Sequence, residues 1–293
     1  MSAPLRWVAC ALACCGLLAP AARADRLDDI VQRGTLIVGV KKDVPLWGQR
    51  GRQGVPEGLE PDLAADLARR LGVKLELVGL LSSDRMDAMA QRRVDVMIAT
   101  FSDTPERRRQ LALVRPHYYA SGVNVMVRRQ TRFRAWTELR HHRVCGRRGA
   151  FYNRAITVAH GVDVVALHSN QLALAALRDG RCDAVLYDDT NIVALLQDPA
   201  WARGFEMPLP TVQVVPWAIA LHPEEAGGRL EALVSRAVVE WHRSGELIRL
   251  ERKWGIPVSA FSRRMNTQWN RRLPSGEPYC GEWAGPRTPA DCL

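Results

Sequence analysis

Beyond its first two dozen residues, the 293-residue chain has no apolar run long enough for a transmembrane helix. It has no C-x-x-C pair, and His141 and His142 are adjacent rather than spaced along one helix face. That excludes the common zinc patterns, and neither a metal nor a cofactor is expected. No paired carboxylates and no nucleophile–base pair stand out, so acid–base or covalent catalysis has no obvious carrier. The net charge is +10, yet no basic stripe is interleaved with aromatics, which argues against a nucleic-acid partner. Low-complexity segments and short-period repeats are absent.

What is present begins with an export signal. Arg6 gives a basic start, residues 7–20 are apolar but short, and Ala22-Arg23-Ala24 is an A-x-A cleavage site. Residues 1–24 are therefore expected to be a signal peptide. The mature chain then works in the periplasm. Ala11-Leu12-Ala13 before Cys14 is a poor lipobox, so a lipid anchor is not expected. Four cysteines lie beyond the leader, and export permits disulfides. Cys145 with Cys182, and Cys280 with Cys292, is one of three possible connectivities. Removing the leader takes away only Arg6 and Arg23, so the exported chain stays basic and would steer anions toward itself.

The hydrophobic fraction of 47% is that of a globular chain. Residues 36–40, 75–80 and 94–99 read as strands, and 62–71 and 84–91 as helices between them. Leu63, Leu67 and Leu71 share one helix face. This β-α-β-α-β run predicts a right-handed parallel sheet. Residues 41–57 read as a loop rich in Gly, Pro and charge. A second α/β unit follows, with strands at 143–145, 162–167 and 184–187 and helices from 152, at 170–178 and at 192–196. Strand 217–221 and helices 230–243 and 246–254 close the pattern. The segment 262–293, rich in Arg, Pro, Gly and Trp, reads either as disordered or as a disulfide-closed cap.

The chain is organised around residues 95–109, DVMIATFSDTPERRR. Val96 to Ala99 form a buried-strand run. Thr104 suits a helix N-cap, Pro105 the first helical position and Glu106 the positive helix end. A strand carboxyl end, the hydroxyls of Thr100 and Ser102, free backbone N–H groups and the Arg107 guanidinium then converge within eight residues. In an open α/β sheet, ligands bind there. A guanidinium among hydroxyl and amide donors suits a carboxylate.

This stretch resembles the "A-T-x-S-x-T-x-E-R" segment of the family 3 extracellular solute-binding proteins, the polar amino-acid receptors of ABC transporters. Gly34-Thr35-Leu36-Ile37-Val38-Gly39-Val40 resembles the family's opening strand. Gly58-Leu59-Glu60-Pro61-Asp62-Leu63-Ala64 resembles "GFDVDLA". Pro116-His117-Tyr118-Tyr119 resembles "P-Y-Y". The run from Gly180 to Asp189 resembles "GRVDAVLxDD", and Gly245-Glu246-Leu247 with Lys253-Trp254-Gly255 resembles the closing "DGTxxKIxxKWFG". The motifs recur in order from about residue 26 to residue 257.

The resemblance implies a two-lobed, type II periplasmic-binding-protein fold of class α/β, with the ligand cleft between the lobes. Lobe 1 would span 25–122 and 216–261. Lobe 2, inserted into it, would span 123–215, and 262–293 would be an extension. The expected mechanism is closure on a solute and delivery, as a monomer, to an ABC permease. Arg107 would hold the solute's carboxylate, helped by Thr100 and Ser102, and Asp188 would accept from its ammonium. Ser82-Ser83-Asp84-Arg85 is similar to the "S-x-N-R" of the glutamate- and aspartate-binding subgroup. Arg85, Lys41 and Ser82 would then meet a side-chain carboxylate, which makes an acidic amino acid the expected ligand. One departure stands out. The family's "G-T-T" or "G-S-T" is here Gly149-Ala150-Phe151, preceded by Arg147 and Arg148. Phe151 would stack on a flat ligand or pack in its lobe. The alternatives are an enzyme resembling the cyclohexadienyl dehydratases of this fold, or a sensory or accessory binding protein for another small organic acid.

Overall fold

In the computed structural model, residues 26–282, 284 and 288–293 are described. The expected leader and Cys10, Cys14 and Cys15 lie outside them. Among the described residues no helix is long and apolar enough to cross a membrane.

Two sheets carry the chain. The first is ordered Lys74–Leu80, Thr35–Lys41, Val96–Ile98, Ala220–Leu221, Ala112–Leu113. Its first three strands are parallel, as the β-α-β-α-β pattern requires, and Ala220–Leu221 returns antiparallel between Val96–Ile98 and Ala112–Leu113. Helix Leu59–Leu71 buries Leu59, Leu63 and Leu67 against this sheet and ends at Gly72 in a left-handed turn (φ 67°). That conformation is nearly free for glycine and strained for other residues.

The second sheet is ordered Val164–Leu167, Val144–Arg147, Ala184–Asp188, Tyr119–Arg128, Phe205–Glu206. Strand Val212–Trp217 also pairs with Tyr119–Arg128, antiparallel. The chain thus leaves the first lobe along Tyr119–Arg128 and comes back along Val212–Trp217. Each lobe has its own apolar core. Trp47, Tyr118, Tyr119 and Trp217 pack together where the two crossings leave the first lobe.

One region differs from the sequence reading, and another takes one of the two forms that the reading left open. Residues 41–57 are not a plain loop: Asp43–Val44, Gly48–Arg50 and Pro56–Glu57 form a three-stranded antiparallel sheet. Strands of two or three residues are too short to show a period in sequence. The described residues of the C-terminal segment pack onto the first lobe as the expected cap. Helix Ala260–Asn270 buries Phe261, Met265 and Trp269 in the first lobe's core, which also takes in Cys280 and Cys292. Cys280 is bonded to Cys292, and Cys145 to Cys182, with Cα–Cα distances of 5.8 and 5.9 Å.

Candidate functional site

The carboxyl end of Val96–Ile98 delivers Thr100 into a left-handed backbone conformation (φ 44°), which is costly for a β-branched residue. Two buried partners hold it there. Its N–H donates to Glu60 Oε1 at 2.5 Å, and its carbonyl accepts from Arg85 Nη1 at 2.9 Å. Its own hydroxyl is buried and has no hydrogen-bond partner. Ser102, two residues on, makes an isolated antiparallel bridge with Trp217.

The helix start behaves as its sequence dictates. Thr104 Oγ1 accepts from the Arg107 N–H at 3.3 Å, with Pro105 at the first position. That short turn aims the half-buried Arg107 back over the strand end. Its guanidinium lies 4.1 Å from the centre of the Phe101 ring and donates to the Ser102 carbonyl at 2.8 Å. Burial, with Arg147 nearby, lowers Arg107 to about 10, so it stays charged at neutral pH. One side-chain hydrogen bond leaves most of a five-donor group available.

The three residues expected to meet a ligand side chain are occupied within the protein. Lys41 is fully buried. Its Nζ pairs with Asp43 Oδ1 at 2.7 Å and donates to Ser82 Oγ at 3.0 Å and the Leu80 carbonyl at 3.3 Å. Those contacts use all three of its donors. Arg85 is equally buried and donates to the carbonyls of Ser82, Ala99, Thr100 and Gly149. As the lobes sit, Arg85 and Lys41 brace the strand ends and contribute charge, while Ser82 Oγ accepts a hydrogen bond from Lys41.

Across the cleft, Asp188 ends strand Ala184–Asp188 and is 2% exposed. Its Oδ2 accepts from Arg147 Nη2 at 2.9 Å and from the Tyr152 hydroxyl at 3.2 Å. Burial pushes the Asp188 carboxyl up, while Arg147 and Tyr152 pull it back. Phe151 packs its ring on Tyr152 and the second lobe's core, with ring centres 5.3 Å apart, and stays partly exposed. The lobes touch directly. Arg85 Nη2 reaches the Gly149 carbonyl at 3.2 Å, and Asn170 donates its backbone and side-chain N–H groups to Asp43 Oδ2 at 3.0 and 3.1 Å. Gly149 (φ 77°) permits this approach, since a Cβ there would lie 2.7 Å from the Ser82 carbonyl oxygen.

Glu60, Arg147, Tyr152 and Asn170 were not singled out for the site from sequence. Glu60 lay in a matched segment and Arg147 beside a departure from the family pattern, but their partners Thr100 and Asp188 are 40 and 41 residues away in sequence.

Glu60 carries a pH dependence. Burial pushes its carboxyl up from 4.5 to about 7, against the hydrogen bonds from Tyr118 and Thr100. The folded chain therefore keeps this proton where the unfolded chain releases it. Stability falls as pH rises from about 4.5 to about 7 and is flat in this respect above that. Glu60→Gln keeps the acceptor but cannot ionise. Its stability relative to the parent should rise by about 1 kcal/mol per pH unit across that window, measured by urea unfolding at pH 5, 6 and 7. Lys41, lowered by burial to about 7 against the pull of Asp43, adds stability as pH rises from about 7 to 10.5.

A family model for bacterial extracellular solute-binding proteins, family 3, matches residues 36–257. The chain belongs to that family. This family 3 solute-binding protein is 26% identical over 240 residues to the L-cystine-binding protein TcyJ of Escherichia coli, covering 78% of this chain and 85% of that one. A shorter match, 37% identical over 103 residues, links it to cyclohexadienyl dehydratase of Pseudomonas aeruginosa, with 34% and 38% of the two chains covered. Its structure is similar to that of holo ArgBP from T. maritima, with a TM-score of 0.68 and 26% identity over 78% of this chain and 99% of that one. The solute-binding protein has the two-lobed type II periplasmic-binding-protein fold.

Proposed function

We propose that the protein is a periplasmic receptor that captures a small anionic solute of amino-acid size between its lobes and delivers it to an ABC permease. Glutamate, aspartate and acids of similar length define the class. Of the relatives described above, TcyJ is named for cystine and ArgBP of T. maritima has been solved with arginine bound, so the acidic preference rests on this chain's own residues. The observation that carries it is Arg107, a charged, half-buried guanidinium stacked on Phe101 at a strand carboxyl end, with most of its donors uncommitted.

The charge around it supports the same reading. Three guanidinium groups, Arg85, Arg107 and Arg147, lie close enough to act on one another, and Asp188 is the carboxyl that acts on all three. Closure on the solute would then follow from its differential affinity for the closed arrangement.

A thermal-shift screen over glutamate, aspartate, glutamine, arginine, cystine and short dicarboxylates tests this. An anionic solute at a hundred times its dissociation constant adds about 2.7 kcal/mol, which is roughly 5–10 °C in melting temperature for a chain of this size. Arginine should give no shift. A shift with arginine or cystine alone overturns the acidic reading. Turnover of prephenate or arogenate, the activity that the dehydratase match raises, overturns a purely receptive role.

A further inference from the structure

Arg147 is the one cleft cation whose position alters what Asp188 is able to bind. It ends strand Val144–Arg147, is 3% exposed, and places Nη2 2.9 Å from Asp188 Oδ2. The same oxygen accepts from the Tyr152 hydroxyl. The guanidinium lies 5.7 and 5.5 Å from the ring centres of Tyr152 and Tyr187, so it is fixed on two aromatic faces. Its Nη1 is 3.5 Å from Asn170 Oδ1, the residue that also reaches across to Asp43. Its Nε is buried and has no hydrogen-bond partner, as is the Thr100 hydroxyl on the opposite lobe.

An α-ammonium needs a carboxylate with an open lone pair and no competing cation. Asp188 fails the second requirement: Arg147 and Tyr152 both bind its Oδ2, and its charge is already matched by a guanidinium that cannot lose its proton, so only Oδ1 is left to an ammonium. An incoming ammonium would also stand among Arg147, Arg107 and Arg85, and like charges at such range repel strongly where water is excluded. A carboxylate, carbonyl or hydroxyl oxygen in the same place meets unspent donors instead.

We infer that Arg147 occupies the ammonium-binding position and makes the cleft select short dicarboxylates and 2-oxo dicarboxylates over α-amino acids of the same carbon skeleton. This rests on the anionic-solute reading above and narrows it. Arg107 grips one carboxylate from the first lobe, and the Arg147 side of the second lobe receives an oxygen where an amino acid would present nitrogen.

Calorimetry on the full mature chain decides it. Glutarate and 2-oxoglutarate are compared with glutamate, and succinate with aspartate, in the parent protein and in Arg147→Met. The parent should bind the nitrogen-free acid at least tenfold more tightly in each pair. In Arg147→Met, Asp188 is released, and the ratio should fall at least tenfold through weaker glutarate and stronger glutamate binding. Equal or tighter binding of glutamate by the parent overturns the inference and leaves the anionic-solute reading standing. Binding of arginine or cystine with no acid bound overturns both. Failure of every nitrogen-free acid to bind also overturns the inference. If Arg147→Met does not fold, the parent ratios alone decide.

Discussion

Arg107→Ala should lower the affinity for any carboxylate solute about a hundredfold or more while leaving the melting temperature of the protein without solute within a degree or two. Charge-assisted hydrogen bonds contribute about 1.5–3 kcal/mol each, and a guanidinium makes two to one carboxylate, so roughly 3 kcal/mol or more is lost. Each 1.4 kcal/mol is about tenfold in affinity. Stability should hold because Arg107 is half-buried, sits on a four-residue helix and makes one side-chain hydrogen bond, to Ser102. The Phe101 ring beneath it keeps its packing in the first lobe. Calorimetry for affinity and differential scanning for melting separate the two effects. Unchanged affinity would remove Arg107 from the site.

Trp217→Ala should have the largest effect on stability, a loss of about 3–5 kcal/mol. The ring is fully buried, 4.9 Å from Trp47 and 5.4 Å from Tyr119, centre to centre. Such edge-to-face and tilted pairs add to the area they bury. Trp217 also pairs with Tyr119 in the crossing strands and bridges Ser102. The substitution therefore empties the joint between the lobes and loosens one site residue at once. Urea unfolding should show the midpoint falling with little change in slope, and the melting temperature should drop by roughly 10 °C. Solute affinity should fall as well. A loss below about 1 kcal/mol would mean the aromatic cluster repacks around the gap.

The parts of this protein that were legible in its sequence are those whose cause is local. The alternation of apolar runs with the Leu63, Leu67 and Leu71 face gave the parallel sheet of the first lobe. Thr104 before Pro105 announced the helix start that aims Arg107. What was not legible depends on residues far apart in the chain. Asp43 meets Asn170 across 127 residues, and Tyr119 meets Glu251 across 132. Lys41 ends its strand, Ser82 follows the next and Arg85 opens a helix, but their hydrogen bonds go to Asp43, to one another and to backbone carbonyls, which no residue pattern advertises. The C-terminal helix lay outside the family pattern, and its role became visible only through the buried Trp269 and Met265.

The direct contacts between the lobes bear on how fast the protein works. The Arg85–Gly149 and Asp43–Asn170 bonds join the two lobes through the protein's own atoms. A solute enters only while those bonds are broken. The rate of capture should therefore stop climbing with solute concentration once it reaches the rate of lobe opening, well short of the diffusion limit. The same bonds re-form behind the solute and slow its escape. A receptor latched in this way would hold its solute for a long residence time.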